Sequence, residues 1–199
     1  MGLTEAVQVL ETYRGREKAL RTLQYGLLAL TPVARHKGNR ATLEAVSSQF
    51  GAARIILRLF DDLSMLQYSL KVLRKGKEGD WLVRWLEVAN TVVDQLFFPV
   101  EHLAWARDVK IVRGSSSPLW HASLLLWAAS LVLTILRETR NDKREAELLT
   151  IIMHAADLLN ALNWLPNRPW SKSFPVWQVG VFGLVSSLIG FHKLLQPSS

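Results

Sequence analysis

The residues of this chain best suited to acid–base or metal chemistry are five histidines and a pair of adjacent aspartates. The histidines fall at no spacing typical of a metal site: His36, His102, His121, His154 and His192. Asp61 and Asp62 are neighbours on a predicted helix, so their side chains diverge by about 100° and do not share a site. We interpret them as a solvated acidic edge supported by Arg58, four residues before Asp62. His102 beside Glu101 is compatible with a local hydrogen-bonding pocket, but a structural role is the favoured interpretation.

No motif of a catalytic or cofactor-binding protein is present in the sequence. It contains neither a phosphate-binding glycine loop nor a nucleophile elbow. It has no cysteine, so thiolate chemistry and disulfides are excluded. We therefore predict that the protein is not an enzyme and that it has no cofactor and no metal site.

The whole chain has a net charge of +7, and most of this positive charge lies in its first part. Residues 1–117 contain 17 Lys and Arg against 12 Asp and Glu, and residues 118–199 contain 7 against 5. Such an excess favours anionic lipid headgroups, by about 1 kcal/mol for each well-placed basic residue. No basic stripe interleaved with aromatic residues appears, so we predict no nucleic-acid partner. A solvated, mildly basic surface is the alternative.

Two nearly uncharged segments, 118–136 and 174–191, are the elements on which the organisation of the chain depends. Nineteen helical residues reach about 28 Å, close to the roughly 30 Å hydrocarbon core of a bilayer. Tryptophans cluster at or near the ends of both segments, as at a membrane interface: Trp120, Trp127, Trp164, Trp170 and Trp177. Arg137 and Lys193 flank the segments and can extend outward to the headgroups. We predict two membrane spans; a pair of buried core helices is the alternative.

The remaining sequence reads as helices, which makes the predicted fold all-α. Apolar residues recur at helical spacing over Thr4–Leu30, with Thr4 as the N-cap, and over Thr42–Leu73 and Asp80–Val112, where Pro99 predicts a kink or break. Loops are predicted at 31–39 and 71–80. A charged connector (137–147) and a helix at about 146–165 separate the spans. The predicted organisation is therefore amphipathic helices at a membrane surface (1–113), then a two-span membrane hairpin with an intervening amphipathic helix (114–199).

Three sets of residues are candidates for function. One apolar stripe predicts a membrane-insertion face: Leu43, Val46, Phe50, Leu57, Phe60 and Leu63. Basic residues are candidates for contact with lipid or a partner: Arg14, Arg16, Lys18, Arg21 and Arg54. Small residues four apart in the second span predict close helix packing, against the first span or between copies: Gly183, Ser186, Ser187 and Gly190.

Polar residues also form a row at three-residue steps on the helix between the spans: His154, Asp157, Asn160 and Asn163. The row is compatible with a helix lying in the membrane interface. It is equally compatible with a bundle in which the row is buried. A third alternative is a wet path through an oligomeric solute channel.

Five blocks of the chain resemble the peroxisomal membrane peroxin 11 family. Its N-terminal Gly-Arg-Asp/Glu hallmark is similar to Gly15-Arg16-Glu17 within 13–18, followed by Arg21, Gln24 and Tyr25. Four further blocks resemble gamma-type members: 54–65, 94–105, Trp164-Leu165-Pro166 and 174–180. The matches run in order from about residue 10 to 191.

The resemblance implies an integral, multi-pass peroxisomal membrane protein that promotes membrane elongation, proliferation and fission. It implies partners of several kinds: the lipid bilayer, the protein itself and related family members, and a peroxisomal membrane-protein import receptor. A dynamin-related GTPase would be recruited through membrane-anchored fission adaptors. Both termini are expected in the cytosol, although Lys and Arg flank the first span on both sides and do not decide its orientation. A helical adaptor without curvature activity is the competing hypothesis.

Overall fold

The computed structural model describes residues 2–34, 36–74, 80–140 and 144–196. Every regular element among them is helical, which confirms the all-α prediction. The helices are α1 (Leu3–Glu11), α2 (Tyr13–Ala29), α3 (Lys37–Arg58), α4 (Asp61–Arg74), α5 (Trp81–Asp108), α6 (Ser117–Arg140), α7 (Arg144–Trp164) and α8 (Val176–Leu195), with a 3-10 turn at Thr31–Val33.

The first predicted helix is divided at Thr12, so the prediction of one helix from Thr4 to Leu30 was wrong. Thr12 adopts an extended backbone conformation, and its Oγ1 accepts a hydrogen bond of 3.0 Å from the Gly15 amide. The same hydroxyl donates to the Val9 carbonyl oxygen at 2.7 Å. The N-cap is therefore Thr12, not Thr4, because its side chain satisfies an amide of α2 that has no partner within the helix.

The second predicted helix is also divided, at Leu59 and Phe60, into α3 and α4. Conversely, α3 begins at Lys37, inside the predicted loop. Pro99 does not end α5, which runs for 28 residues. Packing of α5 against α6 holds the helix together at a position where proline removes one backbone hydrogen bond.

Two predicted connections lie partly outside the described residues. Residues 75–79 of the predicted loop at 71–80 are not described, and α4 continues into its first part as far as Arg74. Residues 141–143 of the charged connector are not described either. Its flanks belong to helices, since α6 ends at Arg140 and α7 begins at Arg144.

The helices form two compact units, each described by itself. Unit 1 lies within Met1–Leu57 and Phe174–Ser199. In it α1 packs against α2, α2 packs against α8, and the 3-10 turn contacts both α2 and α8. Side-chain hydrogen bonds connect α3 to α2: Ser47 Oγ donates to the Gln24 carbonyl oxygen (2.9 Å) and Tyr13 Oη to that of Leu57 (2.8 Å).

Unit 2 comprises Arg58–Ser173. Here α4 packs on α5, α5 on α6, and α6 on α7. Ala128, Leu131 and Ala161 form a small apolar core between α6 and α7. Beside it, the rings of Trp127 and Trp164 stack with their centroids 6.0 Å apart.

The two predicted spans correspond to α6 and α8, both long and apolar enough to cross a bilayer. By their contacts they belong to different units, α6 to unit 2 and α8 to unit 1. The predicted boundary at residue 113 separates a membrane-surface region from a membrane region, and it stays a prediction. The two packed units are divided differently, because α8 belongs to the same unit as the N-terminal helices.

Candidate functional site

A buried ion pair joins α2 to α3 in unit 1. Arg54 is only 8% exposed. Its Nε and Nη2 atoms lie 2.9 Å and 2.8 Å from Glu17 Oε1, and its Nη1 donates to Gln24 Oε1 at 2.8 Å. All three guanidinium nitrogens therefore have acceptors, which offsets the cost of removing the charge from water.

Glu17 is held as a carboxylate by the surrounding cations. Burial alone raises its pKa, but Lys18, Arg54 and Arg21 outweigh burial and lower the pKa of Glu17 to about 2. Lys18 lies 3.2 Å from the second carboxylate oxygen. Burial, together with the neighbouring arginines, lowers the pKa of Lys18, and Glu17 opposes that change. The result is a compact charge network on the first half of α2.

The segment Gly15-Arg16-Glu17 has a distinct contact at each residue. A Cβ on Gly15 would overlap the Val9 carbonyl oxygen, so only glycine permits this close approach of α1 to α2. Arg16 Nε donates to the Leu10 carbonyl oxygen at 2.7 Å, at the carboxyl end of α1. Glu17 binds Arg54. The segment thus connects α2 to both α1 and α3.

The small residues of α8 face α2. A Cβ on Gly180 would overlap the backbone at Leu28 and Ala29, and one on Gly183 would overlap the Tyr25 ring. One turn further along α8, Arg21 Nη2 donates to Ser186 Oγ at 3.1 Å. The matched pairs run in opposite directions along the two helices, so α2 and α8 are antiparallel.

The small-residue prediction therefore identified a packing face but not its partner. Gly183, Ser186 and Ser187 are buried, and Gly190 is half-buried. The sequence pattern suggested the first span or a second copy as partner, whereas α2 covers this face within unit 1. Gly180 completes the face and was missed. The signal that could have found it is its spacing, since it precedes Gly183 by three residues.

The five basic candidates are divided between the surface and the interior. Arg14 and Arg16 are exposed. Lys18 pairs with Glu17, and Arg21 binds Ser186 while its guanidinium lies 5.6 Å from the centre of the Tyr25 ring. Arg54 is directed inside unit 1, contrary to the predicted contact with lipid or a partner. Its acid lies 37 residues away in sequence, beyond the reach of a helical-periodicity argument.

The predicted insertion stripe is not continuous. In α3 it is only partly exposed: Leu43, Phe50 and Leu57 are half-buried, and Val46 is exposed. From the break onward the apolar residues are strongly exposed: Phe60 at the break is 75% exposed and Leu63 in α4 is 79% exposed. Leu66, Leu70 and Leu73 extend this exposed face along α4. We call Phe60, Leu63, Leu66, Leu70 and Leu73 the α4 apolar face.

The predicted pair of Arg58 with Asp62 is replaced by two longer-range interactions in unit 2. Arg58 Nε and Nη2 donate to the two Glu101 carboxylate oxygens at 2.7 Å and 2.6 Å. Asp62 instead lies 3.0 Å from His102 Nδ1, and His102 Nε2 lies 3.1 Å from the Arg58 carbonyl oxygen. Glu101 and His102 therefore have structural contacts with the end of α3 and the start of α4, in agreement with the favoured interpretation.

The polar row of α7 is buried within unit 2. Asp157, Asn160 and Asn163 are buried and His154 is half-buried. The structure thus selects burial in a bundle over a helix lying in the interface plane. Among the described residues, no three His, Asp or Glu side chains come close enough to hold a metal ion.

Comparison with known proteins gives consistent matches over nearly the whole chain. A sequence profile of the family described as Peroxisomal biogenesis factor 11 (PEX11) matches residues 3–145 and 136–195. Peroxisomal membrane protein 11C of Mus musculus is 36% identical over an alignment of 222 positions, which covers 94% of this chain and 92% of the mouse protein. The Homo sapiens protein of the same name is 34% identical over an alignment of 227 positions, which covers 96% of this chain and 93% of the human protein. No solved structure matches the chain.

Proposed function

Since the chain belongs to the Peroxisomal biogenesis factor 11 family, we propose that it is a multi-pass integral protein of the peroxisomal membrane. It promotes elongation, proliferation and fission of the organelle. The names of its relatives and the apolar helices α6 and α8 support this location. Its role is to shape membrane, not to catalyse a reaction.

The observation that carries the shaping role is the α4 apolar face. Phe60 and Leu63 are among the most exposed apolar side chains of unit 2, and the face continues along α4. Lys71 and Arg74 are exposed in the last turn of the same helix. A helix with this composition inserts its apolar residues beneath the headgroups while its cations bind anionic lipid. Insertion into one leaflet expands that leaflet and bends the bilayer.

We also propose partners for the protein, which are those that the family resemblance implies. The protein associates with itself and with related family members, and a peroxisomal membrane-protein import receptor delivers it. Membrane-anchored fission adaptors bring a dynamin-related GTPase to the elongated membrane. Both termini face the cytosol, where those adaptors act.

The test of shaping uses the full-length protein, because residues 1–113 alone would remove α8 from unit 1 and α6 from unit 2. The double variant Leu63→Asp/Leu66→Asp replaces two exposed residues of the α4 apolar face. We expect it to abolish elongation of peroxisomes in cells and tubulation of anionic liposomes. The matched control is Ser64→Asp/Gln67→Asp, which adds the same charge at exposed polar positions of the same helix. Equal activity of both double variants would refute insertion through α4.

A second candidate, a helical adaptor, is favoured by the buried network of unit 1. Glu17, Gln24 and Arg54 tie α2 and α3 together as packed helices. Arg14 and Arg16 remain exposed at the start of α2. For an adaptor, Arg14→Glu abolishes capture of fission adaptors while liposome tubulation is unchanged. If the protein shapes membrane, tubulation is instead lost in the Leu63→Asp/Leu66→Asp variant of the α4 apolar face. Burial of the α7 polar row does not favour the solute-channel alternative.

A further inference from the structure

The exposed residues of α5 are all apolar over most of its length. Between Leu86 and Arg107, the exposed residues are Val92, Leu96, Pro99 and Leu103. None of the ionisable side chains in this stretch is exposed: Glu101 is buried against Arg58, and Glu87, Asp94 and His102 are half-buried. In a water-soluble helix the ionisable residues occupy the exposed face, so the arrangement in α5 is inverted.

The same inversion holds for the two helices that follow. In α6, the exposed residues between Ala122 and Glu138 are Leu125, Ala129, Val132 and Leu136. In α7, those from Leu148 to Trp164 are Leu148, Leu149, Ile152, Leu159 and Trp164. Polar side chains are instead buried in unit 2, among them Thr91, Ser123, Thr134, Asp157 and Asn160. Outward apolar and inward polar residues are typical of a bundle surrounded by lipid.

Two other helices of the chain provide internal comparisons. The predicted span α8 shows the same pattern, with Val181, Val185 and Leu188 as its exposed residues between Trp177 and Phe191. By contrast, α4 exposes Ser64, Gln67 and Lys71 beside its apolar face, as a helix at a water interface does. The surface of α5 and α7 therefore resembles that of the spans and differs from that of an interfacial helix.

Contacts within unit 2 hold α5 alongside α6 from end to end. At one end Arg140 Nε donates to Asp80 Oδ2 at 3.1 Å. At the other end Trp120 Nε1 donates to Asp108 Oδ2 at 2.7 Å. A helix that is antiparallel to α6 and paired with it at both ends occupies the same depth. If α6 crosses the bilayer, α5 must cross it too.

The residues at the two ends of α5 suit the two membrane interfaces. Trp81 and Trp85 are exposed at the end that contacts Arg140. Lys110 and Arg113 are exposed just beyond the other end. Tryptophans at one limit of an apolar band and basic residues at the other suit the headgroup level on each side of a membrane.

We infer that α5 and α7 cross the bilayer beside α6, with lipid acyl chains covering their exposed apolar faces. This inference rests on the proposed membrane location of α6. With α5 in the bilayer, the membrane region begins at α5 and not at residue 114. Side-chain hydrogen bonds between the crossing helices, such as Thr134 Oγ1 to Asn90 Oδ1 at 3.4 Å, then lie inside the bundle.

The absence of native cysteine allows a direct test by single-cysteine labelling in the full-length protein. Four exposed positions flank the three helices: Gln67→Cys before α5, Lys110→Cys between α5 and α6, Thr139→Cys at the end of α6, and Arg168→Cys after α7. Each variant is treated with a membrane-impermeant maleimide, on intact and on permeabilised peroxisomes. Restoration of normal peroxisome number in cells without the native protein verifies that each variant folds.

If all three helices cross, positions 67 and 139 react on one side of the membrane and positions 110 and 168 react on the other. If α6 alone crosses and α5 and α7 lie on the surface, positions 67 and 110 react on one side and positions 139 and 168 on the other, which overturns the inference. In that case the protein still resists alkaline carbonate extraction, and the proposed location stands. Release by carbonate, with all four positions reactive on one side, refutes the membrane location itself and the inference with it.

Discussion

The guanidinium of Arg54 donates two hydrogen bonds to one oxygen of Glu17, through Nε at 2.9 Å and Nη2 at 2.8 Å. The pair joins α3 to α2 away from water, and Gln24 satisfies the third nitrogen of the arginine. Glu17 is the acid of the Gly-Arg-Glu segment that resembles the family hallmark. In this structure the segment is a packing junction between α1, α2 and α3.

Loss of the Glu17 charge should destabilise unit 1. Glu17→Gln leaves the buried Arg54 without its counter-charge, a defect that typically costs about 3–5 kcal/mol. The measurement is unfolding of the detergent-solubilised full-length protein. Glu17→Gln/Arg54→Met removes both charges, so it should recover most of the stability. A double variant no more stable than the single one would show that the ion pair is not the source of the loss.

The same pair predicts how stability depends on pH. The pKa of Glu17 is about 2 in the folded protein, below its ordinary value of 4.5. The unfolded chain therefore binds the proton more tightly, so the stabilisation is complete above pH 4.5 and is lost as the pH falls toward 2. We expect the Tm difference between wild type and Glu17→Gln to be constant above about pH 5.5 and to shrink below pH 4.5. A difference that stays constant down to pH 3 would contradict this assignment.

Substitution of Gly183 should separate α2 from α8. A Cβ at this position overlaps the Tyr25 ring, so Gly183→Ala should cost about 1–3 kcal/mol through overpacking. Gly26→Ala is the matched control, because nothing lies within 4 Å of its added methyl group and alanine favours a helix. The control should be neutral or slightly stabilising in thermal unfolding. Equal effects of the two substitutions would exclude close packing as the reason for glycine at position 183.

Gly15→Ala should displace α1 from α2. The added Cβ overlaps the Val9 carbonyl oxygen, which belongs to the backbone and cannot rotate away as a side chain can. We expect faster proteolysis near Glu11 and Thr12 in the variant, with α5, α6 and α7 still protected. Gly38→Ala, where the methyl group meets open space, serves as the control. Unchanged proteolysis in Gly15→Ala would show that α1 tolerates the displacement.

Helical periodicity located most of the helical segments but not their ends. A stripe that continues through Thr12 or through Leu59 and Phe60 looks the same whether the helix is continuous or broken. The break at Thr12 depends on one side-chain hydrogen bond to Gly15 and on the fold-back of α1, neither of which changes the apolar spacing. The insertion stripe was predicted as continuous for the same reason, whereas Leu43, Phe50 and Leu57 of α3 are half-buried.

Sequence alone determined the helical class, the two long uncharged segments and the presence of a small-residue face on α8. These are properties of single helices, encoded by residues three or four positions apart. The tertiary structure alone decided which face meets which partner, as in the contacts of Glu17 with Arg54 and of Arg21 with Ser186, 37 and 165 residues apart. Such pairings depend on how distant segments fold together, and they cannot be predicted from the spacing of residues within one helix.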